Sequence, residues 1–263
     1  MKNTLTRVFF AAEKRYTVRH MEDVDKKNHD ARPYRPKHLT TDDIRAGCIK
    51  LYGNDGVETE ICVSNEELRQ GLDFVEDLEK SVTVFGSART PEGEKYYEKA
   101  RRISYRAVTE AHCAVITGGG PGIMEAANRG AYEANGKSIG MQIILPHEQV
   151  TNPYVTDMIP FYFFYNRKTV MRYASEVYLF FPGGFGTIDE LAESLTLVQT
   201  GKIANVKLIM VGEDFWKPFE AFIREKLLPE GKISDEDMNL YTITDDEDKI
   251  MELIMHAPKR EKN

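Results

Sequence analysis

Three short stretches of this 263-residue chain carry residue types whose spacing could do chemistry. The first is Gly118-Gly119-Gly120-Pro121-Gly122-Ile123-Met124-Glu125, where an apolar run gives way to glycines and then to a helical pattern. Glycines at a strand-to-helix turn let backbone N–H groups approach an anion, and the start of the helix adds a favourable dipole. No Lys-Ser/Thr pair follows, so this is not a Walker A loop, and Ile123 stands where GxGxxG needs its third glycine. A tight turn without a ligand would use the same residues. The second stretch, Pro182-Gly183-Gly184-Phe185-Gly186-Thr187-Ile188-Asp189-Glu190, again feeds an apolar run into glycines and a helix. Thr187 is suited to cap that helix or to give its hydroxyl to a phosphate oxygen, and Glu190 stands where a capping box has its acid. The alternative is a carboxylate beside a phosphorylated ligand, where it would orient water or stabilise positive charge on a sugar. The third stretch is Asn166-Arg167-Lys168, after the aromatic run Phe161–Tyr165. Two adjacent cations at a helix start oppose the helix dipole, and a bound anion would compensate them. A solvated pair is the plainer reading. Ser87 is a further candidate for ligand contact, and Arg89 reads as surface.

The surrounding pattern says what must position these residues. Ser81–Phe85, Ala114–Thr117, Ser138–Leu145, Val177–Phe181 and Val206–Val211 are near-continuous apolar runs, as strands buried on both faces should be. Helical patterns separate them, over about 93–111, up to 135, 167–174, 187–200, 215–228 and 246–255. Such alternation predicts an α/β fold, a Rossmann-like doubly wound parallel sheet spanning 81–263. Ligands bind there at the carboxyl ends of the strands, near the reversal of strand order, and glycine-rich turns follow residues 85, 117 and 181. The stretch with Pro146, Pro153 and Pro160 reads as loop. Residues 1–80 form an N-terminal extension: a basic arm over 1–38, with Pro33 and Pro36 in an extended linker, then a small appended element. In that element Thr40–Asp43 caps a short helix, Ile49–Leu51 and Glu60–Val63 read as short strands, and Ser64–Glu67 opens a helix ending near Lys80.

Composition sets the outer limits. No apolar stretch approaches the roughly 18–20 residues of a membrane span, and Val8–Ala12 is too short for a signal peptide, so a cytoplasmic protein is expected. Cys48, Cys62 and Cys113 show no CxxC or disulfide pattern, in keeping with a reducing compartment. The six histidines are scattered, so no metal site is expected. A net charge of −7 argues against binding nucleic acid with the whole surface. The arm over 1–38 holds ten Lys/Arg against five Asp/Glu; it reads as solvated, with RNA or membrane contact as the alternative.

Taken together, GGGPGIMEAA at 118–127, the Arg167-Lys168 pair and PGGFGTIDE at 182–190 resemble the Lonely Guy family of phosphoribohydrolases, often catalogued as "possible lysine decarboxylase". The resemblance spans about residues 81–212, and Ile-Leu-Pro-His-Glu-Gln at 144–149 looks like its bacterial branch. It implies hydrolysis of the N-glycosidic bond of a purine nucleoside 5′-monophosphate, such as AMP or an N6-modified AMP, without a cofactor. It further implies a homodimer or larger homo-oligomer. Carried over by position, Arg167 and Glu190 would be the catalytic pair. Gly183, Gly184, Gly186 and Thr187 would hold the 5′-phosphate, assisted by Lys168, with Ser87, Gly119 and Gly120 lining the site. Met124 would pack on the adenine face, and Glu125 would reach the ribose hydroxyls. The decarboxylase label implies pyridoxal phosphate on a neutral Schiff-base lysine, for which Lys168 beside Arg167 is a poor candidate. A carrier or sensor that holds a phosphorylated ligand without hydrolysis is the competing class, and it would not need Arg167 and Glu190 together.

Overall fold

Alternate residues of each apolar run go to opposite faces of one sheet, and this divides the core in two. In the computed structural model, which describes residues 39–145 and 150–259, Val82, Val84, Val115 and Leu179 face one layer of helices. Phe85, Ile116, Tyr178 and Phe180 face the other. The strands are β1 (Ser81–Phe85), β2 (Ala114–Thr117), β3 (Ser138–Ile143), β4 (Asp157–Phe161), β5 (Val177–Phe180), β6 (Lys207–Met210) and β7 (Tyr241–Ile243). They pair in parallel throughout, in the order β4-β3-β2-β1-β5-β6-β7. The first layer contains α3 (Lys95–Ala111), α4 (Ile123–Glu133) and α8 (Glu247–Met255). The second contains α5 (Phe164–Ala174), α6 (Phe185–Gln199) and α7 (Glu213–Phe222), with Trp216 of α7 donating its indole N–H to the Phe180 carbonyl (3.0 Å). The expected doubly wound parallel sheet is therefore present.

β4 lies where the prolines read as loop. It pairs with β3 alone, with Pro160 opposite Gln142, and an edge strand tolerates the missing N–H. Its core residues Ile159 and Phe161 are buried, so burial overrides the proline signal.

The segment ahead of β1 also differs from its expectation. Ile49–Leu51 and Glu60–Val63 are helical, within α1 (Thr41–Tyr52) and α2 (Val57–Glu76). Short apolar runs fit either period, and here Ile44 and Cys48, one helical turn apart, pack with Val63. Thr40 does cap α1, in a reciprocal capping box with Asp43. Left-handed Gly53 ends α1 and Gly56 begins α2, so the chain reverses and brings Cys48 against Cys62. These two form a disulfide, contrary to the expectation of unpaired cysteines. Cys113 is free and buried. α2 lies close along α5, and a Cβ on Gly71 would come within 2.6 Å of Val170 Cγ2. Val75 and Leu78 join the second core layer.

The basic arm with its Pro33/Pro36 linker, the Val8–Ala12 patch and Pro146–Gln149 of the 144–149 motif lie outside the described residues. Among the described residues no helix is long and apolar enough to cross a membrane.

Candidate active site

β1 has β2 on one side and β5 on the other, so the winding reverses at β1. The carboxyl ends of these three strands release Gly86-Ser87, Gly118–Gly122 and Pro182–Gly184, and the three turns lock onto one another. Ser87 N–H donates to the Pro182 carbonyl and the Ser87 carbonyl accepts from Ile123 N–H, each at 3.0 Å. Gly122 has φ +70°, and a Cβ there would lie 2.3 Å from the Ser87 carbonyl oxygen, so backbone meets backbone where no side chain fits. Gly183 is equally constrained, because a Cβ would fall 2.1 Å from Thr187 Oγ1. Gly184 and Gly186, by contrast, have open space beside them.

The helix after the second glycine loop starts earlier than the sequence suggested. α6 begins at Phe185 with Gly184 as its N-cap and no side-chain cap bond. Thr187 is the third helical residue, its N–H bonded to the Gly184 carbonyl (3.0 Å), so neither a Thr187 cap nor a capping box with Glu190 forms. The glycines displace the helix start, and the first-turn N–H groups get no partner from a capping side chain. Glu190 is consequently free of any capping duty. It is 6% exposed, and its Oε2 is buried without a hydrogen-bond partner.

Arg167, in the first turn of α5, is the neighbouring charge. Its Nε donates to the Met141 carbonyl within β3 (2.9 Å), and its guanidinium lies under Gly118, with Met124 Sδ on the same glycine. Burial pushes the Arg167 pKa down while the Glu190 charge pulls the other way. Burial raises the Glu190 carboxyl above its ordinary value, against the attraction of Arg167 and then of Lys168. Each charge thus favours the ionised form of the other.

Lys168 behaves differently from its neighbour. Its ammonium bridges Asp189 (2.8 Å) and Glu193 of α6, and Arg172 also pairs with Glu193. The anion that compensates this cation is supplied by α6 itself. Glu125 likewise has a protein partner, accepting from Tyr97 Oη at 2.8 Å. Ser87 Oγ accepts from Arg89 N–H at 3.0 Å, which shapes its turn. The structure therefore gathers Ser87, the 118–122 loop, Met124, Arg167, Gly183, Thr187 and Glu190. It ties Lys168 and Glu125 to other helices.

A buried polar network under the first glycine loop carries no motif by which the sequence could show it. Asn152 N–H donates to the Gly119 carbonyl (2.9 Å), and its Nδ2 donates to the Gly120 carbonyl (3.0 Å) and to Asn128 Oδ1 (2.9 Å). Thr117 Oγ1 donates to Asn128 Oδ1 (2.6 Å) and accepts from Gly119 N–H (2.8 Å). Asn152 comes from the loop before β4, and the missed strand hid its approach to Gly119.

Fold and site define a Rossmann-like α/β protein whose three glycine turns meet at the reversal point of its sheet, with buried Glu190 and Arg167 beside them. Residues 124–254 match the family model described as "Possible lysine decarboxylase", and the resemblance to the Lonely Guy family holds. One relative is an Arabidopsis thaliana cytokinin riboside 5′-monophosphate phosphoribohydrolase, 28% identical over 49% of this chain and 58% of its own length. The chain thus spans somewhat over half of that relative. A probable enzyme of the same name from Oryza sativa is 22% identical over 79% of this chain and 84% of its own length, and one from Rhodococcoides fascians is 26% identical over 55% and 74%. The X-ray structure of TM1055, a structural-genomics target, shares the fold, with 22% identity, 66% of this chain and 98% of that chain covered, and a TM-score of 0.50. A molybdenum cofactor binding protein from Rippkaea orientalis is 21% identical over 66% of this chain and 93% of that chain, with a TM-score of 0.49.

Proposed function

We propose that this protein hydrolyses the N-glycosidic bond of purine nucleoside 5′-monophosphates, AMP or an N6-modified AMP, giving free base and ribose 5-phosphate. The observation that carries the reading is Glu190, a buried carboxylate with an unpartnered oxygen that feels the charge of the half-buried Arg167 guanidinium. A folded protein gains no stability from such a group, since an unpaired buried polar atom costs about 1–3 kcal/mol. A reacting ligand gives it a use. The names of the related phosphoribohydrolases point the same way.

In this reading the 5′-phosphate takes the uncapped first turn of α6 and the open space at Gly184 and Gly186, with the Thr187 hydroxyl alongside. Ser87, Gly119 and Gly120 line the sugar side, and Met124 covers the adenine face. Glu190 accepts a proton from water as the water oxygen bonds to C1′, and its charge stabilises the oxocarbenium-like sugar. The C1′–N9 bond breaks with its electron pair on the base, which takes up the proton. Arg167 stays protonated and offsets that developing negative charge; it is no ordinary general acid. Lys168 contributes by holding α6 to α5 rather than by touching phosphate. Glu125, held by Tyr97, stands toward the ribose.

Pyridoxal phosphate, which the family description implies, does not suit Lys168. Burial alone would lower its pKa, but the bonds to Asp189 and Glu193 outweigh burial and raise it, so the neutral amine of a Schiff base is disfavoured. We expect a homo-oligomer, with exposed Phe164, Tyr165 and Phe185 as contact residues, and cytoplasmic action, although the Cys48–Cys62 bridge removes the cysteine argument for a reducing compartment.

The test is chromatographic. Incubation with AMP, adenosine and ATP is expected to release adenine from AMP and not from adenosine, and to do so equally well in EDTA. AMP binding without base release from any purine monophosphate would favour the carrier reading.

A further inference from the structure

The first turn of α5 carries Arg167, yet nothing on α5 caps it: Phe163 is the N-cap residue and has no side-chain cap bond. The cap comes from α2. Glu67, only 2% exposed, accepts from Tyr162 N–H through Oε2 (2.7 Å) and from Phe163 N–H through Oε1 (3.1 Å). Asn166 Nδ2 donates to the same Oε1 (3.2 Å) and to the Ser64 carbonyl (2.8 Å). Burial raises the Glu67 carboxyl above its ordinary value, and its three partners, all donors, pull it back toward the ionised form that they fit. The Phe163 backbone is then held on both sides, because its carbonyl accepts Arg167 N–H at 3.2 Å. The Glu67 charge also offsets the unfavourable placement of Arg167 and Lys168 at a positive helix end. Gly71, one turn further along α2, permits the close approach that brings Glu67 there.

We propose that Glu67, from the helical pair ahead of the sheet, is a positioning residue that fixes the first turn of α5 and thereby holds Arg167 against the Met141 carbonyl and beside Glu190. The inference rests on the catalytic reading of Arg167 and Glu190, and it gives α1 and α2 a task in the reaction. A small displacement of a reacting group can cost about 100-fold in rate, so a modest shift of this turn suffices.

The test uses the full chain, AMP as probe and two readouts. Glu67→Gln keeps the shape but sets an amide N–H against a backbone N–H. Its kcat for adenine release is expected to fall about tenfold or more, with KM changed less than about threefold, the signature of an interaction made in the transition state. The Arg167 Nε–H resonance, assigned by its loss in Arg167→Lys, is expected to lose its protection from solvent exchange. Thr59→Val, which removes a part-buried bond to the Asn54 carbonyl at the start of α2, two turns before Glu67, serves as control; it should lower the thermal midpoint and leave kcat alone. Wild-type kcat with a protected Nε–H in Glu67→Gln would overturn the proposal, as would an equal loss of kcat in Thr59→Val. If Glu67→Gln does not fold, Asn166→Ala should speed Nε–H exchange, and unchanged exchange would overturn the proposal. If the wild-type protein releases no base from AMP, the catalytic reading fails for that substrate, while the exchange measurement still decides whether Glu67 positions Arg167.

Discussion

Glu190 has its catalytic and its stability consequences in opposite directions. Glu190→Gln retains the side-chain shape and removes both the charge and the proton acceptor, so turnover should fall by about 10²–10⁴, the usual contribution of a general base. The same substitution should stabilise the fold near neutral pH. Burial raises the Glu190 carboxyl above its ordinary value of 4.5, so the folded state binds its proton more tightly than the unfolded state does. The cost of the ionised form is therefore complete above the folded pKa and disappears as pH falls to the ordinary value. Thermal melts should show Glu190→Gln above wild type at about pH 8 and converging with it near pH 4. A constant difference across that range would mean that the carboxylate is not the strained group described here. Arg167→Ala should weaken AMP binding and lower turnover together, by about 10²-fold or more in kcat/KM, and calorimetry with steady-state rates separates the two. Glu190 and Arg167 stand out in the sequence because of the motifs around them. Asn128 and Asn152 do not, since a buried amide is recognisable only from what it bonds.

At the scale of elements, the glycine loops are fixed by what packs against them. Gly122→Ala combines a positive φ with a Cβ that would overlap the Ser87 carbonyl, so it should destabilise by well over about 1 kcal/mol and loosen the AMP site. Chemical denaturation and AMP titration of the variant check this. Cys48→Ser should also lower stability, by up to about 3 kcal/mol on the chain-entropy account of a loop of this length; a melt unchanged by the substitution or by reductant would mean the bridge adds nothing. The five longest apolar runs are legible as strands because a strand covered on both faces needs no alternation. β4 was hidden by Pro160 and β7 by its shortness. The start of α6 is not legible in the sequence, because Thr187 is a better cap residue than Gly184, whereas the open glycines, not a capping side chain, set where the helix begins.

For the whole molecule, the doubly wound fold and the meeting of three glycine turns follow from the order of runs and turns along the chain. The way α2 reaches across to α5 does not: Glu67 and Gly71 lie in a segment with no recognisable chemistry, and their partners are about a hundred positions away. The charge compensation of Lys168 by Asp189 and Glu193 is likewise a tertiary fact, in which two helices distant in sequence lie side by side. The most direct test of the account compares wild-type protein and Glu190→Gln on AMP, measuring adenine release by chromatography and AMP affinity by calorimetry on the same preparations. The account predicts release by the wild type and near-complete loss of release in the variant with AMP still bound at similar affinity. Undiminished release by Glu190→Gln would contradict it.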